Sequence, residues 1–167
     1  MFSEQSAKAG ITYPKGFVAS GVKAGIKKSG NLDVAVIYSK KEAVVAGTFT
    51  KNAVAAAPVH VSKAVVATHT AHAIVANAGC ANACTGPQGD ADAAAMQKIA
   101  ADALGCGTQD VIVASTGIIG QLLPMDKVAS GIHAAVKALS PDGSMDAGNA
   151  IITTDTYSKA GTTSVVL

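Results

Sequence analysis

Ser115, Thr116 and Gly117 are the residues whose order first suggests chemistry. They close a run of β-formers, Val111 to Val113, and are followed by Ile118, Ile119 and Gly120. A glycine directly after a buried strand lets the backbone turn sharply and leaves N–H groups free. Free N–H groups beside a hydroxyl are the donors that stabilise the oxyanion of an acyl-transfer intermediate. An ordinary strand-to-loop turn is spelled in the same way, so at the level of residues both readings stand.

The other candidates carry less chemistry. Asn77–Gly89 reads as a loop of small residues leading into a helix, a place where an anion can be cradled. It lacks the P-loop lysine and the Rossmann glycine spacing. A tight crossover that needs small side chains for close backbone packing explains it better. Cys80 and Cys84 stand four apart in that loop and Cys106 follows a helix stop, but nothing basic flanks them to activate a thiolate. His60, His69, His72 and His133 are scattered without ligand spacing, so surface histidines are expected and no metal site.

These residues must be positioned by the elements around them. The chain has 167 residues, 49% of them apolar and 14% charged. That is enough for one domain with a core and argues against disorder. A net charge of +2 gives no footprint for nucleic acid or an anionic membrane. Three cysteines, an odd number, argue against a secreted disulfide framework. No secretory leader is legible in the first ten residues. No run approaches the roughly 18 apolar residues of a membrane span, so a cytoplasmic protein is expected.

The pattern alternates strands and helices. Strands are expected at 33–38 and 43–49, joined by a polar turn at Ser39–Glu42, with further strands near Val59–Val61, Ala73–Ala76 and Val111–Ala114. Asp90 is the expected N-cap of a helix whose buried stripe is Met96, Ile99, Ala100, Ala103 and Leu104, stopped by Gly105. A second helix follows Pro124 and buries Val128, Ile132, Ala135, Val136 and Leu139. "SPDGS" breaks it, a short helix covers about 145–152, and Ser164–Leu167 reads as the start of a strand. Val165, Val166 and Leu167 stop without a cap or turn, so either a strand partner lies elsewhere or the sequence is simply cut short there.

Five segments stand in order: "PKGF" at 14–17, "NAGCANACTG" at 77–86, "STGIIG" at 115–120, "PMDKV" at 124–128 and "AIITTDT" at 150–156. Together they resemble the N-terminal half of the bifunctional ornithine acetyltransferase/N-acetylglutamate synthase family of arginine biosynthesis, from about Pro14 to the end. The resemblance implies a mixed α/β fold with sheets sandwiched between helices. That ornithine acetyltransferase/DmpA-like fold is similar to the N-terminal-nucleophile hydrolases but is connected differently. It also implies a precursor that cleaves itself before a threonine, which then opens a β chain. Residues 1–167 would be the α chain, in the usual α2β2 heterotetramer. The family's Lys-Gly-Ser/Ala-Gly-Met segment before the cleavage point is absent, so the nucleophile and its neighbouring lysine would lie outside this sequence.

For the site, the resemblance implies that Thr116 and Gly117 form the oxyanion hole and that Thr153 contacts the amino-acid substrate. Thr154 is adjacent, and extended geometry would point the two threonines to opposite faces. The implied reaction moves an acetyl group from N2-acetylornithine to glutamate by way of an acetyl-threonine, without metal or organic cofactor. Members of the family differ in whether acetyl-CoA is also a donor. Two other classes remain beside this: an N-terminal-nucleophile amidohydrolase or aminopeptidase subunit, and a non-catalytic module binding small anions at Asn77–Gly89.

Overall fold

The structure is a computed structural model and describes residues 10–163. Four strands form one sheet: β1 (Phe17–Val22), β2 (Val34–Val44), β3 (Thr70–Cys80) and β4 (Val111–Ile118), adjacent in that order. β1 and β3 run antiparallel to β2, and β4 runs parallel to β3. A parallel pair needs a long crossover, and helix α2 (Gly86–Leu104) supplies it. Helix α1 (Ala57–Val66) precedes β3, and α3 (Met125–Lys137) and α4 (Ser144–Ile151) follow β4.

Alternation along the strands divides the core. Val34 and Val36, Ala73 and Val75, and Val111 and Val113 face Met96 and Ala100 of α2 and Val128, Ile132 and Ala135 of α3. The opposite face carries Ala19 and Ala35 against Ala147 and Ala150 of α4. Small residues let α4 lie close: a Cβ on Gly21 would stand 2.0 Å from the Asp146 carbonyl oxygen. The expected mixed α/β fold is therefore present, with helices on both faces of the sheet.

Strand β4 is an edge, and α1 covers it. The Ser62 hydroxyl donates to the Val113 carbonyl at 2.6 Å and accepts from the Val113 N–H at 3.1 Å. One hydroxyl thus satisfies both edge groups of a residue that would otherwise invite another strand. Gln97 of α2 donates to the Val111 carbonyl at 2.9 Å.

Several expectations need correction. The strand expected near Val59–Val61 lies within helix α1. Pro58 stands in its first turn, and Pro58, Ser62 and Val65 are buried at helical spacing. The β-branched valines there mislead because burial follows the 3.6-residue face. The strand expected at 33–38 and the first residues of the one expected at 43–49 belong to one strand, β2, which ends at Val44; residues 45–49 are not strand. The pairing of β2 with β3 shifts register between Tyr38 and Ala43, so the polar stretch is an irregularity and not a hairpin turn. Asn77–Gly89 is a loop only in part: β3 continues to Cys80 and α2 starts at Gly86. Asp90 lies inside α2, which Pro87 opens after Thr85 at the N-cap. Strand β1 has no counterpart in the sequence reading.

The remaining elements stand as read. Gly105 ends α2 in the left-handed conformation, φ 72°. α3 follows Pro124 and buries Val128, Ile132 and Ala135; of the rest of the expected stripe, Val136 is half-buried and Leu139 lies past the helix end. The short helix is α4. Ser164–Leu167 lies outside the described residues.

Candidate functional site

The parallel ladder brings the two small-residue segments side by side. Asn77 pairs with Ser115, Ala78 with Thr116, Gly79 with Gly117 and Cys80 with Ile118. The facing glycines have φ of +111° and +133°, which disfavours any side chain. They are also in close approach: a Cβ on Gly117 would stand 2.4 Å from the Gly79 carbonyl carbon. This is the physical reason for a glycine at the end of the "STG" strand.

The two hydroxyls do different work. The Ser115 hydroxyl donates to Asn77 Oδ1 at 2.6 Å, and Asn77 Nδ2 donates to the Cys80 carbonyl at 2.9 Å. Asn77 is fully buried, so this chain of bonds pins the ends of β3 and β4 together. Thr116 points to the other face, half-buried, and its hydroxyl has no partner among the described residues. Along a parallel strand, successive residues turn their N–H and C=O groups to alternate sides. Val113 turns its pair toward the open edge, onto Ser62, while Ile118 offers its carbonyl toward β3, where the Ala81 N–H donates to it. By that alternation Gly117, like Val113, turns its N–H to the open edge.

A cavity of about 1030 Å³ opens at this strand end. Such a volume stands at the upper end of small-molecule sites, which run to about 1,000 Å³. Thr116, Gly117, Thr153 and Thr154 all line it. The structure therefore brings the three sequence-predicted residues together although 35 residues lie between Gly117 and Thr153. Thr153 and Thr154 lie in a bend after α4, neither strand nor helix cap, and both reach the cavity.

The far wall was not legible in the sequence. It is the loop 24–32, including Lys27, Lys28 and Ser29, with Asn149 and Gln121 nearby. Its organiser is Asp33, fully buried at the start of β2. The carboxylate accepts the Ala24 and Ile26 N–H groups, each at 2.6 Å, and the Lys27 N–H at 2.9 Å. Lys27 is held below the ordinary lysine pKa by desolvation, which outweighs the opposing attraction of Asp33. Asp155 on the opposite wall is held below the usual carboxylate range by the hydrogen bond and charge of Lys159. The only signal for this wall was the glycine-punctuated basic run "GIKKSG", which has no catalytic spelling.

The remaining candidates are not brought into the site as catalysts. Cys80 is buried, and its thiol donates to the Gln121 carbonyl at 3.1 Å. Burial and Asp110 push the Cys106 thiol up. His72 lies in β3, with Nδ1 3.2 Å from the Ser39 carbonyl and its ring stacked on Tyr38. No group of three metal-ligating side chains occurs among the described residues, and no helix there is long and apolar enough to cross a membrane.

The chain is thus a mixed α/β protein with an unpartnered threonine hydroxyl at a strand end, open to a cavity among the described residues. Comparison with known proteins narrows the class. The ArgJ family model matches residues 18–167, and the chain belongs to that family. The arginine biosynthesis bifunctional protein ArgJ of Symbiobacterium thermophilum is 51% identical over 152 residues, covering 90% of this chain and 38% of the relative. The protein of the same name from Streptomyces coelicolor is 50% identical over 157 residues, covering 93% and 40%. The chain thus spans about two fifths of the length of these curated relatives. The crystal structure of ornithine acetyltransferase complexed with ornithine from Mycobacterium tuberculosis superimposes with a TM-score of 0.86 at 44% identity, covering 89% of this chain and 81% of that one. ArgJ from Bacillus halodurans gives 0.84 at 35% identity, covering 90% and 79%.

Proposed function

We propose that this chain is the α chain of a glutamate N-acetyltransferase, which moves the acetyl group of N2-acetylornithine to glutamate in the cytoplasm. The observation that carries the proposal is the shared cavity: Thr116, Gly117 and Thr153 line one open cleft, with room to spare for an acylated amino acid. The family and the ornithine-bound neighbour supply the substrate class.

In this reading the nucleophile is the N-terminal threonine of a second chain cut from the same precursor. Its hydroxyl attacks the acetyl carbonyl, with its own α-amine, pKa about 8, as base. The carbonyl oxygen becomes an alkoxide, which the Thr116 hydroxyl and the Gly117 N–H stabilise. Ornithine leaves with the proton from the amine, and the acetyl group rests on the threonine. Glutamate then attacks that ester through a second alkoxide held by the same donors. Thr153 binds the amino-acid portion. No metal or organic cofactor takes part, and the working particle is an α2β2 heterotetramer.

Co-expression of the complete coding sequence, followed by N-terminal sequencing, tests the assembly. A co-purifying chain beginning with threonine is expected, together with transfer from N2-acetylornithine to glutamate. Release of acetate at the same rate without glutamate would replace the transferase by an amidohydrolase. Full transfer activity in residues 1–167 alone would refute the two-chain mechanism.

A further inference from the structure

Lys27 ties together several parts of the cavity's framework. Its backbone lies against the strand ends: a Cβ on Gly79 would stand 3.2 Å from the Lys27 nitrogen and 3.1 Å from Ile26 Cγ2. Gly79 is the register partner of Gly117. The Lys27 N–H is fixed by the Asp33 carboxylate at 2.9 Å. Its side chain then runs the other way. The ammonium donates to the Leu32 carbonyl at 2.7 Å and to the Ala150 carbonyl at 3.1 Å. Leu32 closes the loop 24–32. Ala150 is in the last turn of α4, three residues before Thr153.

We propose that Lys27 is a positioning residue, whose ammonium joins the loop 24–32 to the end of α4 and so sets where Thr153 stands relative to Thr116 and Gly117. The C-terminal turn of a helix leaves carbonyls without intrahelical donors, and a cation there answers both the hydrogen bond and the helix dipole. α4 is only eight residues long. It is followed at once by the bend that carries Thr153; Ala150 packs that last turn on the sheet, and the Lys27 bond ties its carbonyl to the loop 24–32. The half-buried setting makes the bond matter: the Ala150 side chain is fully buried, and an unanswered carbonyl in that setting is unfavourable. Asp33 holds the near end of the brace by three N–H groups and Lys27 holds the far end. The two together turn a glycine-punctuated loop into a fixed wall. The inference rests on the acyl-transfer reading only for which ligand the wall serves. The brace itself is a statement about geometry.

The test uses the co-expressed, assembled enzyme with Lys27→Met, Lys27→Arg and, as a stability control, Val128→Ala in the core. Lys27→Met keeps the length of the stem and removes the donors. Loss of the brace is expected to lower kcat/KM for N2-acetylornithine by about 10- to 10²-fold, mainly through KM, because a shift near 1 Å in a binding group has that effect. Lys27→Arg, which restores donors, is expected to recover part of the loss. Val128→Ala is expected to lower the melting temperature without the KM effect. Amide hydrogen exchange is read in parallel, and residues 150–155 are expected to exchange faster in Lys27→Met than in wild type. Unchanged KM, or a KM change matched by Val128→Ala at equal loss of melting temperature, would overturn the positioning role. Unchanged exchange at 150–155 would overturn the brace. A wild-type enzyme without acetyl transfer would refute the functional reading, and the exchange measurement would still decide the brace.

Discussion

Gly117→Ala isolates the close approach at the strand end. The built Cβ lies 2.4 Å from the Gly79 carbonyl carbon and 2.6 Å from the Cys80 nitrogen. Ordinary carbon contacts begin near 3.5 Å, so β3 and β4 must part by about 1 Å. The atoms in the way are backbone, which cannot swing aside as a side chain can. The φ of +133° adds strain of about 1–3 kcal/mol for a residue with a Cβ. Gly120→Ala is the matched control. It also has positive φ, +79°, but its Cβ would meet nothing within 4 Å. Only the left-handed penalty of about 1–2 kcal/mol applies there. That is a few degrees of melting temperature in a chain of this size. Both variants would be compared by thermal unfolding and by steady-state acetyl transfer. Gly120→Ala is expected to lose stability and keep its turnover. Gly117→Ala is expected to lose more stability and about 10²-fold in kcat/KM, the usual consequence of a misplacement near 1 Å. If Gly117→Ala melts and turns over like Gly120→Ala, the facing glycines are not in contact as described and the argument for Gly117 fails.

Thr116→Ala should cost about 10²–10³ in turnover with little loss of stability, since the hydroxyl has no partner among the described residues. Wild-type turnover in the folded variant would remove Thr116 from the oxyanion hole. Thr153→Val should raise the Michaelis constant for N2-acetylornithine and leave precursor cleavage intact, as seen by gel. An unchanged constant would hand the contact to Thr154. Ser115→Ala strands the buried Asn77 Oδ1 without its donor and should lower stability by about 1–3 kcal/mol in chemical denaturation. Alkylation by iodoacetamide, followed by mass spectrometry at pH 8, should modify exposed Cys84 first, then Cys106, then buried Cys80. The raised Cys106 thiol carries less thiolate at that pH, so its rate should keep climbing at higher pH than that of an ordinary exposed thiol.

Local rules were enough where one residue's chemistry decides the backbone. Gly105 stops α2 because only glycine adopts the left-handed cap without strain, and the stripe of α3 repeats every three to four residues over three turns. They failed where two neighbours compete. "APVHVSKAVV" has the valines of a strand, but Pro58 opens a helix and the buried positions follow the helical face. "YSKKEA" reads as a turn, but β3 pairs with β2 on either side of it, at Val34–Tyr38 and again at Ala43 and Val44, and so carries the strand through the irregularity. β1 was missed because "FVASGV" has small residues where α4 presses close, and small residues carry no strand signal of their own.

The site divides in the same way. Thr116, Gly117 and Thr153 were singled out through the resemblance, from short motifs that stand in order along the chain, and the structure has all three lining one cavity. That order also carried the family, which a linear comparison reads as well. No linear feature tells Ser115 from Thr116. Both are hydroxyls after a buried strand, and only the pleat sends one to Asn77 and the other to the cavity. Nor does sequence distance link Lys27 to Ala150, or Asp33 to the three N–H groups it collects. Those contacts exist because β1 and β2 set the loop 24–32 beside β3 while α4 crosses the same face, bringing groups more than a hundred residues apart within hydrogen-bonding reach. A side chain's type belongs to the sequence; its partner is chosen by the packing of elements that are remote from it in the chain.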